Sequence, residues 1–281
     1  QKQSDPLDSI FEKAISGESL FTNRQALRTD FIPHNLPYRD EQITSIGQIL
    51  SPILQDSKPS NLLLYGKTGS GKTVVAKYVL QKFDETTKKH SKSISVAYSN
   101  ARLAGSEYRV LVDLAHSLSM EMPFTGLPIS EVLQRIYNNI SDNNLKVIFI
   151  IDEIDYLAKH AKTSNDDMLY SLTRSSEHLK NGFISIIGIS NDLHFKNFLD
   201  PRVLSSMNEE EILFPPYTVT QLSDILNKRI ESAFKTKSVP SGTINLCAAL
   251  AGSEHGDARR AIELLRVAGE LAERSDEKTV I

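Results

Sequence analysis

The chain has 281 residues, enough for one large or two small domains, and 40% of them are hydrophobic, so a real core can form. Basic and acidic residues nearly balance, 32 against 35, which excludes a protein that coats nucleic acid by bulk electrostatics but leaves room for a local basic site. The lone cysteine, Cys247, excludes disulfides, the 7 histidines lack metal-ligand spacing, and the longest aliphatic run, 147–151, is far too short to span a bilayer. With no signal-peptide pattern, a cytoplasmic protein without a membrane partner is expected. A chain that begins with Gln1 in place of methionine reads as a fragment or a trimmed form.

Residues 7–16 pattern as a short amphipathic helix ending at Gly17, and an irregular stretch follows to Asn35 with Pro33 and Pro37 as breakers. A helix then opens at 36–41 and carries Ile43, Ile46, Ile49 and Leu50 at helical spacing; its first-turn proline and following acids fit an N-terminus. Residues 62–65 read as a buried strand, and Val74, Val75, Tyr78 and Val79 as the apolar stripe of a helix. Between them lies Gly66-x4-Gly71-Lys72-Thr73, a complete P-loop pattern. Gly66, Gly69 and Gly71, with Lys67, Thr68 and Ser70 among them, let consecutive N–H groups face an anion, and the helix adds its positive end. Lys72 would reach the β- and γ-phosphates and the Thr73 hydroxyl would ligate Mg²⁺, so ATP or ADP with Mg²⁺ is the expected cofactor. The bland alternative is a glycine-rich strand-to-helix turn; the flanking strand and helix weigh against it.

The stretch 84–92 reads as a polar connector bearing Lys88, Lys89 and Lys92, with a phosphate-backbone contact as the alternative. Residues 94–98 alternate as the next strand, and 108–118 has helical spacing. In 120–128, MEMPFTGLP, the residues Met120, Met122, Phe124 and Leu127 either fold back on the core or form an exposed element kept for a partner. A helix over 130–140 takes Ser130 as its N-cap. The most buried-looking strand, 146–151, runs into Asp152-Glu153. Beside a P-loop, Asp152 would hold the Mg²⁺ and Glu153 would polarise the water that attacks the γ-phosphate. Asp155 reads as a helix cap.

A helix over 167–179 precedes the strand 183–189, which ends in Ser190-Asn191-Asp192. Asn191 at that tip is the candidate for orienting the attacking water, with a turn-forming Asn as the alternative. A helix start at 199–203 and a last strand at 211–214 lead to Pro215-Pro216. Beyond them 218–234, 243–251 and 257–273 read as helices with no strand between, so a small all-helical unit follows an α/β domain.

Together LPYRDEQ (36–42), GKTGSGKT (66–73), IIDEID (150–155), GISND (188–192), LDPRVLSS (199–206), FPPYT (214–218) and EHGDARRAIELLR (254–266) resemble an AAA+ ATPase. More closely, they resemble the archaeal replication-initiator family related to the eukaryotic origin recognition complex. The resemblance covers the whole chain and implies an α/β P-loop AAA+ domain, a parallel β-sheet flanked by helices, followed by a small all-helical lid. The expected boundaries are 1–35 for an N-terminal helix and extended segment, 36–215 for the nucleotide-binding domain and 216–281 for the lid. The family places Leu36, Tyr38 and Arg39 near the adenine, Tyr217 near the base at the lid hinge, and Arg259, in the first turn of a helix capped by Asp257, on the phosphates. It implies origin double-stranded DNA, the replicative helicase and other initiator protomers as partners, a nucleoid-associated cytoplasmic location, and slow ATP hydrolysis used as a switch. Its initiator-specific insertion maps to 103–127, where Phe124 and Leu127 would form an apolar wedge flanked by Arg102 and Arg109 at the DNA.

Two departures matter. Family members with a clear arginine finger read Arg-x-x-Ser-Arg; here Arg202 and Ser205 are present, but Ser206 takes the second arginine's place. A finger in trans speeds hydrolysis by orders of magnitude, so slow turnover is expected unless Arg202 substitutes. The family also continues into a winged-helix domain beyond the position of Ile281, which would carry most sequence-reading DNA contacts. The competing reading is a multiple-turnover ring ATPase, clamp-loader-like or remodelling. Ser205-Ser206-Met207 in place of the clamp loaders' Ser-Arg-Cys counts against it. A metabolic P-loop kinase would need an arginine-rich lid inside the α/β domain, and none is evident.

Overall fold

Three strands carry apolar side chains on both faces and therefore lie inside a sheet: β1 (Asn61–Tyr65), β3 (Lys146–Asp152) and β4 (Phe183–Ser190). The edges are β2 (Ser95–Asn100) and β5 (Glu209–Leu213), the latter blunted by Glu209, Glu210 and Glu211. The order is β2-β3-β4-β1-β5, every pair parallel. These coordinates come from a computed structural model that describes residues 7, 11, 12, 15, 19–90, 94–160 and 167–280. The helix expected over 7–16 lies mostly outside the described residues, as does Lys92.

Strand alternation sorts the two faces. Leu62 and Leu64 join Ile46 and Leu50 of α1 (Asp40–Leu50) and Val75, Val79 and Leu80 of α2 (Lys72–Lys89) on one side. Leu63 and Tyr65 face the other, beside α3 (Ala101–Ala104), α4 (Glu107–Ser117) and α5 (Ile129–Asp142), which contribute Ala101, Leu111, Leu114, Ile136 and Ile140. Burying each such aliphatic side chain contributes on the order of 2 kcal/mol. Three short helices complete this unit: α6 (Asp155–His160), α7 (Asp167–Thr173) and α8 (Pro201–Met207).

Several local expectations change. Helix α2 runs on to Lys89 through the stretch read as a connector, because 74–89 holds no glycine or proline and the pair Lys88–Asp84, one turn apart at 2.6 Å, supports its end. The N-cap of α5 is Pro128 in place of Ser130, since the Pro128 carbonyl already accepts from Glu131 and Val132 N–H at 3.1 and 3.2 Å. The helix expected to reach 179 ends at Thr173 and gives way to a 3-10 turn, Ser175–Glu177. The loop 120–128 divides its duties: Met122 is buried, Met120 and Leu127 pack against the core, and Phe124 is 59% exposed.

The chain falls into two compact units, His34–Pro216 and the combination of Gln1–Pro33 with Tyr217–Ile281. The second holds α9 (Val219–Ala233), α10 (Ser241–Ser253) and α11 (Ala258–Arg274). The sequence reading kept 1–35 apart; the structure groups it through Pro33 with these helices. Phe21 packs on Phe234 with ring centroids 4.5 Å apart and planes tilted by 34°, and the Leu20 N–H donates to Glu273 at 2.7 Å. Lys235 N–H returns a bond to the Leu20 carbonyl at 2.9 Å, and buried Arg229 donates to the Ala26 carbonyl at 3.0 Å. Gly269, in mid-helix, makes room: a Cβ there would stand 2.6 Å from the Phe21 ring. Phe21→Ala is expected to destabilise this unit by about 3–5 kcal/mol, read as an earlier unfolding transition of the lid helices in urea.

Candidate nucleotide site

Parallel strands put all their C-terminal ends along one edge, and the P-loop leaves β1 there. Gly69 and Gly71 take φ of 73° and 95°, left-handed values that other residues resist, and Gly71 is the N-cap of α2. Gly66 is required for space, since a Cβ on it would lie 2.4 Å from the Phe214 carbonyl oxygen. Lys72 is buried and its Nζ folds over the loop, donating to the Gly66 and Lys67 carbonyls at 2.7 and 2.9 Å. The Ser70 hydroxyl is fully buried without a hydrogen-bond partner. An orphaned donor, a positive ammonium and a glycine-lined cradle fit a bound polyphosphate.

Sheet register brings the acids to the loop. Asp152 stands opposite Asn100 of β2 and Ile189 of β4, while Tyr65, the last residue before the loop, stands opposite Ser190. Thr73 Oγ1 donates to Asp152 Oδ2 at 2.9 Å, Tyr98 OH donates to the same oxygen at 3.0 Å, and Glu153 N–H donates to Oδ1 at 3.0 Å. A hydroxyl beside a carboxylate is the all-oxygen donor set that a Mg²⁺ ion shares with phosphate oxygens. Glu153 adopts a left-handed φ of 52°, held by the Ile154 N–H donating to the Ile189 carbonyl at 3.0 Å. Gly188 permits that turn, since a Cβ there would meet Leu63 at 2.7 Å and Ile154 at 3.2 Å. Arg102, just past β2, places Nη1 3.8 Å from Glu153 Oε2.

Asp155, expected as a cap, reaches to the end of β4: its Oδ1 accepts from Ser190 Oγ at 3.1 Å and from Asn191 N–H at 3.2 Å. Its position as the first residue of α6, next to that strand end, makes β4 the nearer source of donors. Asn191 is thereby fixed by its backbone with its side chain exposed. Lys159 pairs with Asp192 at 2.5 Å, a bond that holds the Asp192 carboxyl below its ordinary range and the Lys159 ammonium above its own.

Of the residues expected near the base, Leu36 is buried and Tyr38 is exposed with a left-handed φ of 64°. Arg39 is buried and donates to main-chain carbonyls, those of Ser70, Pro215 and Tyr38. Tyr217 and Arg259 belong to the helical unit; Tyr217 is buried, and Arg259 is exposed in the first turn of α11, where Asp257 Oδ1 accepts from its N–H at 2.8 Å. Arg202 pairs with Asp200 at 3.0 Å and lies over the Tyr170 ring, and Ser206 shares a hydrogen bond with Thr173 at 2.7 Å. In the insertion, Arg109 covers the exposed Phe124 ring at 5.2 Å and the His116 edge meets it at 5.1 Å. Tyr98 and Phe214 were not singled out from sequence. Tyr98 had a signal, an aromatic hydroxyl two residues from the end of an edge strand.

Comparison with known proteins bears on the fold and the family. An AAA domain family matches residues 55–194, and a Cdc6 AAA+ ATPase-type lid domain matches 223–281. An ORC1-type DNA replication protein of Cenarchaeum symbiosum is 48% identical over 98% of this chain and 68% of its own length. The corresponding Pyrococcus horikoshii protein is 47% identical over 95% of this chain and 64% of its own. The chain thus spans about two thirds of the relatives it matches. Among solved structures, the Aeropyrum pernix ORC1 protein in complex with DNA superposes with a TM-score of 0.88 at 43% identity, covering 94% of this chain and 68% of that one. The fold and the loop define an AAA+ ATPase with a Cdc6-type lid. Within that class, the chain belongs to the ORC1-type DNA replication proteins.

Gly66→Ala is expected to cost about 1–3 kcal/mol, because the Phe214 carbonyl must move. A lower melting temperature of the α/β unit would register it.

Proposed function

We propose that this chain is the nucleotide-gated part of a replication initiator that binds origin duplex DNA and helps recruit or load the replicative helicase. Slow ATP hydrolysis would set its state, more as a switch than as a motor. The observation that carries the nucleotide reading is the Thr73–Asp152 hydrogen bond directly beneath the P-loop. When bound, Mg²⁺ neutralises charge shared between the β- and γ-phosphates. In this reading, Thr73 and Asp152 hold the ion, Lys72 leaves its loop carbonyls for the β- and γ-phosphates, and the amides of 66–73 cradle them. Glu153 takes the proton of the attacking water, and Asn191 orients that water. Leu36 and Tyr38 border the base.

Slow turnover is supported by the place of the second finger arginine. Ser206 occupies it and is tied to Thr173, while Arg202 is folded on Asp200. DNA binding is supported by the likeness to the DNA-bound Aeropyrum pernix ORC1 protein, and by Phe124 standing exposed between Arg109 and His116. Other protomers and the helicase complete the proposed partners.

Lys72→Ala is expected to abolish ADP and ATP binding in a titration with a fluorescent nucleotide; unchanged affinity would overturn the site. Glu153→Gln should keep that affinity and lower single-turnover hydrolysis by about 100-fold or more. Phe124→Ser should weaken duplex binding with an unchanged melting temperature, whereas Leu127→Ser, packed on the core, should lower the melting temperature first.

A further inference from the structure

Arg39 is 2% exposed, and its guanidinium donates to backbone carbonyls. Nε donates to the Ser70 carbonyl at 3.0 Å, Nη2 to the Pro215 carbonyl at 2.7 Å, and Nη1 to the Tyr38 carbonyl at 3.2 Å. The group also lies 5.7 Å from the centroid of the Phe214 ring.

The Ser70 bond has a consequence one atom further along the chain. In a trans peptide the C=O and the next N–H point in opposite directions. A Ser70 carbonyl drawn onto Arg39 therefore turns the Gly71 N–H the other way. On one side of that peptide Gly71, at a φ of 95°, does not impose the orientation, since glycine rotates about this bond at little steric cost. The Arg39 bond to the Ser70 carbonyl holds it there.

The other end of the fork is well anchored. Phe214 N–H donates to the Tyr65 carbonyl at 2.7 Å, and the Phe214 carbonyl fills the space beside Gly66. The start of the P-loop thus leans on Phe214, and its end is tied through Arg39 to Pro215. A planar guanidinium with donors in fixed directions can hold both carbonyls at once; an ammonium on a flexible stem cannot fix their relative placement.

We propose that Arg39 is a positioning residue of the phosphate cradle: it orients the Ser70–Gly71 peptide so that the Gly71 N–H faces the anion, and it does not read the base. The inference rests on the nucleotide reading above and departs from the adenine contact that family resemblance suggests for Arg39.

The test compares ADP with inorganic tripolyphosphate, which has no base, each displacing a fluorescent ADP analogue from the wild-type chain, Arg39→Met and Arg39→Lys. Expected for Arg39→Met is a loss of about tenfold for both ligands, about 1.4 kcal/mol. Arg39→Lys, which keeps the charge, should recover only part of it. A loss confined to ADP would make Arg39 a base contact, and no loss, or full rescue by lysine, would leave the fork without a role; each overturns the proposal. Should Arg39→Met fail to fold, Arg39→Lys alone decides by the same parallel or unequal loss. A wild-type chain that binds neither ligand would overturn the nucleotide reading instead.

Discussion

Strands with apolar side chains on both faces cannot lie at a surface, and that requirement organises this molecule. β1, β3 and β4 must each be covered by helices above and below, and they must be joined by crossovers, which makes the sheet parallel. Once the strands are parallel, the residues that end them share one edge. Tyr65 leads into the P-loop, Asp152 and Glu153 leave β3, and Ser190 and Asn191 leave β4, all in register. The candidate chemistry is thus a by-product of how the core is buried.

At that edge the backbone departs from its easy conformations, and neighbouring bonds hold it there. Glu153 and Tyr38 take left-handed φ, and two loop glycines do the same. Each departure has a tie close by: Ile154 N–H to the Ile189 carbonyl, Arg39 to Tyr38, Ser70 and Pro215, Asp155 to Ser190 and Asn191. Both oxygens of Asp152 accept donors, and Lys72 rests on carbonyls of its own loop. A polar cluster satisfied in this way stays rigid until a ligand offers better partners.

The insertion after β2 shows a similar division between support and display. Met122 and Leu127 anchor the loop in the core, so that Phe124 is presented at the surface without loosening the fold. Arg102 sits at the base of the same insertion and lies 3.8 Å from Glu153, so the segment proposed to meet DNA touches the residue proposed to activate water. In the helical unit, the N-terminal segment is a structural member in its own right, locked by the tilted Phe21–Phe234 pair over Gly269.

Local pattern was enough for the strands, most helices, the P-loop and the acidic pair, because each is written in a contiguous run whose period or spacing has one physical meaning. Asp257 as a cap and the change to an all-helical unit after Pro216 were equally local. Ser130 and Asp155 were misassigned for the opposite reason. A polar side chain near a helix start has several possible partners, and which one it takes depends on atoms from elsewhere: the Pro128 carbonyl in one case, the end of β4 in the other. The same holds for Tyr98 on Asp152, for the buried fork of Arg39 between Ser70 and Pro215, and for Phe21 against Phe234. These join residues 54, 31, 176 and 213 positions apart, separations that no sequence period spans, so only the packed chain decides them.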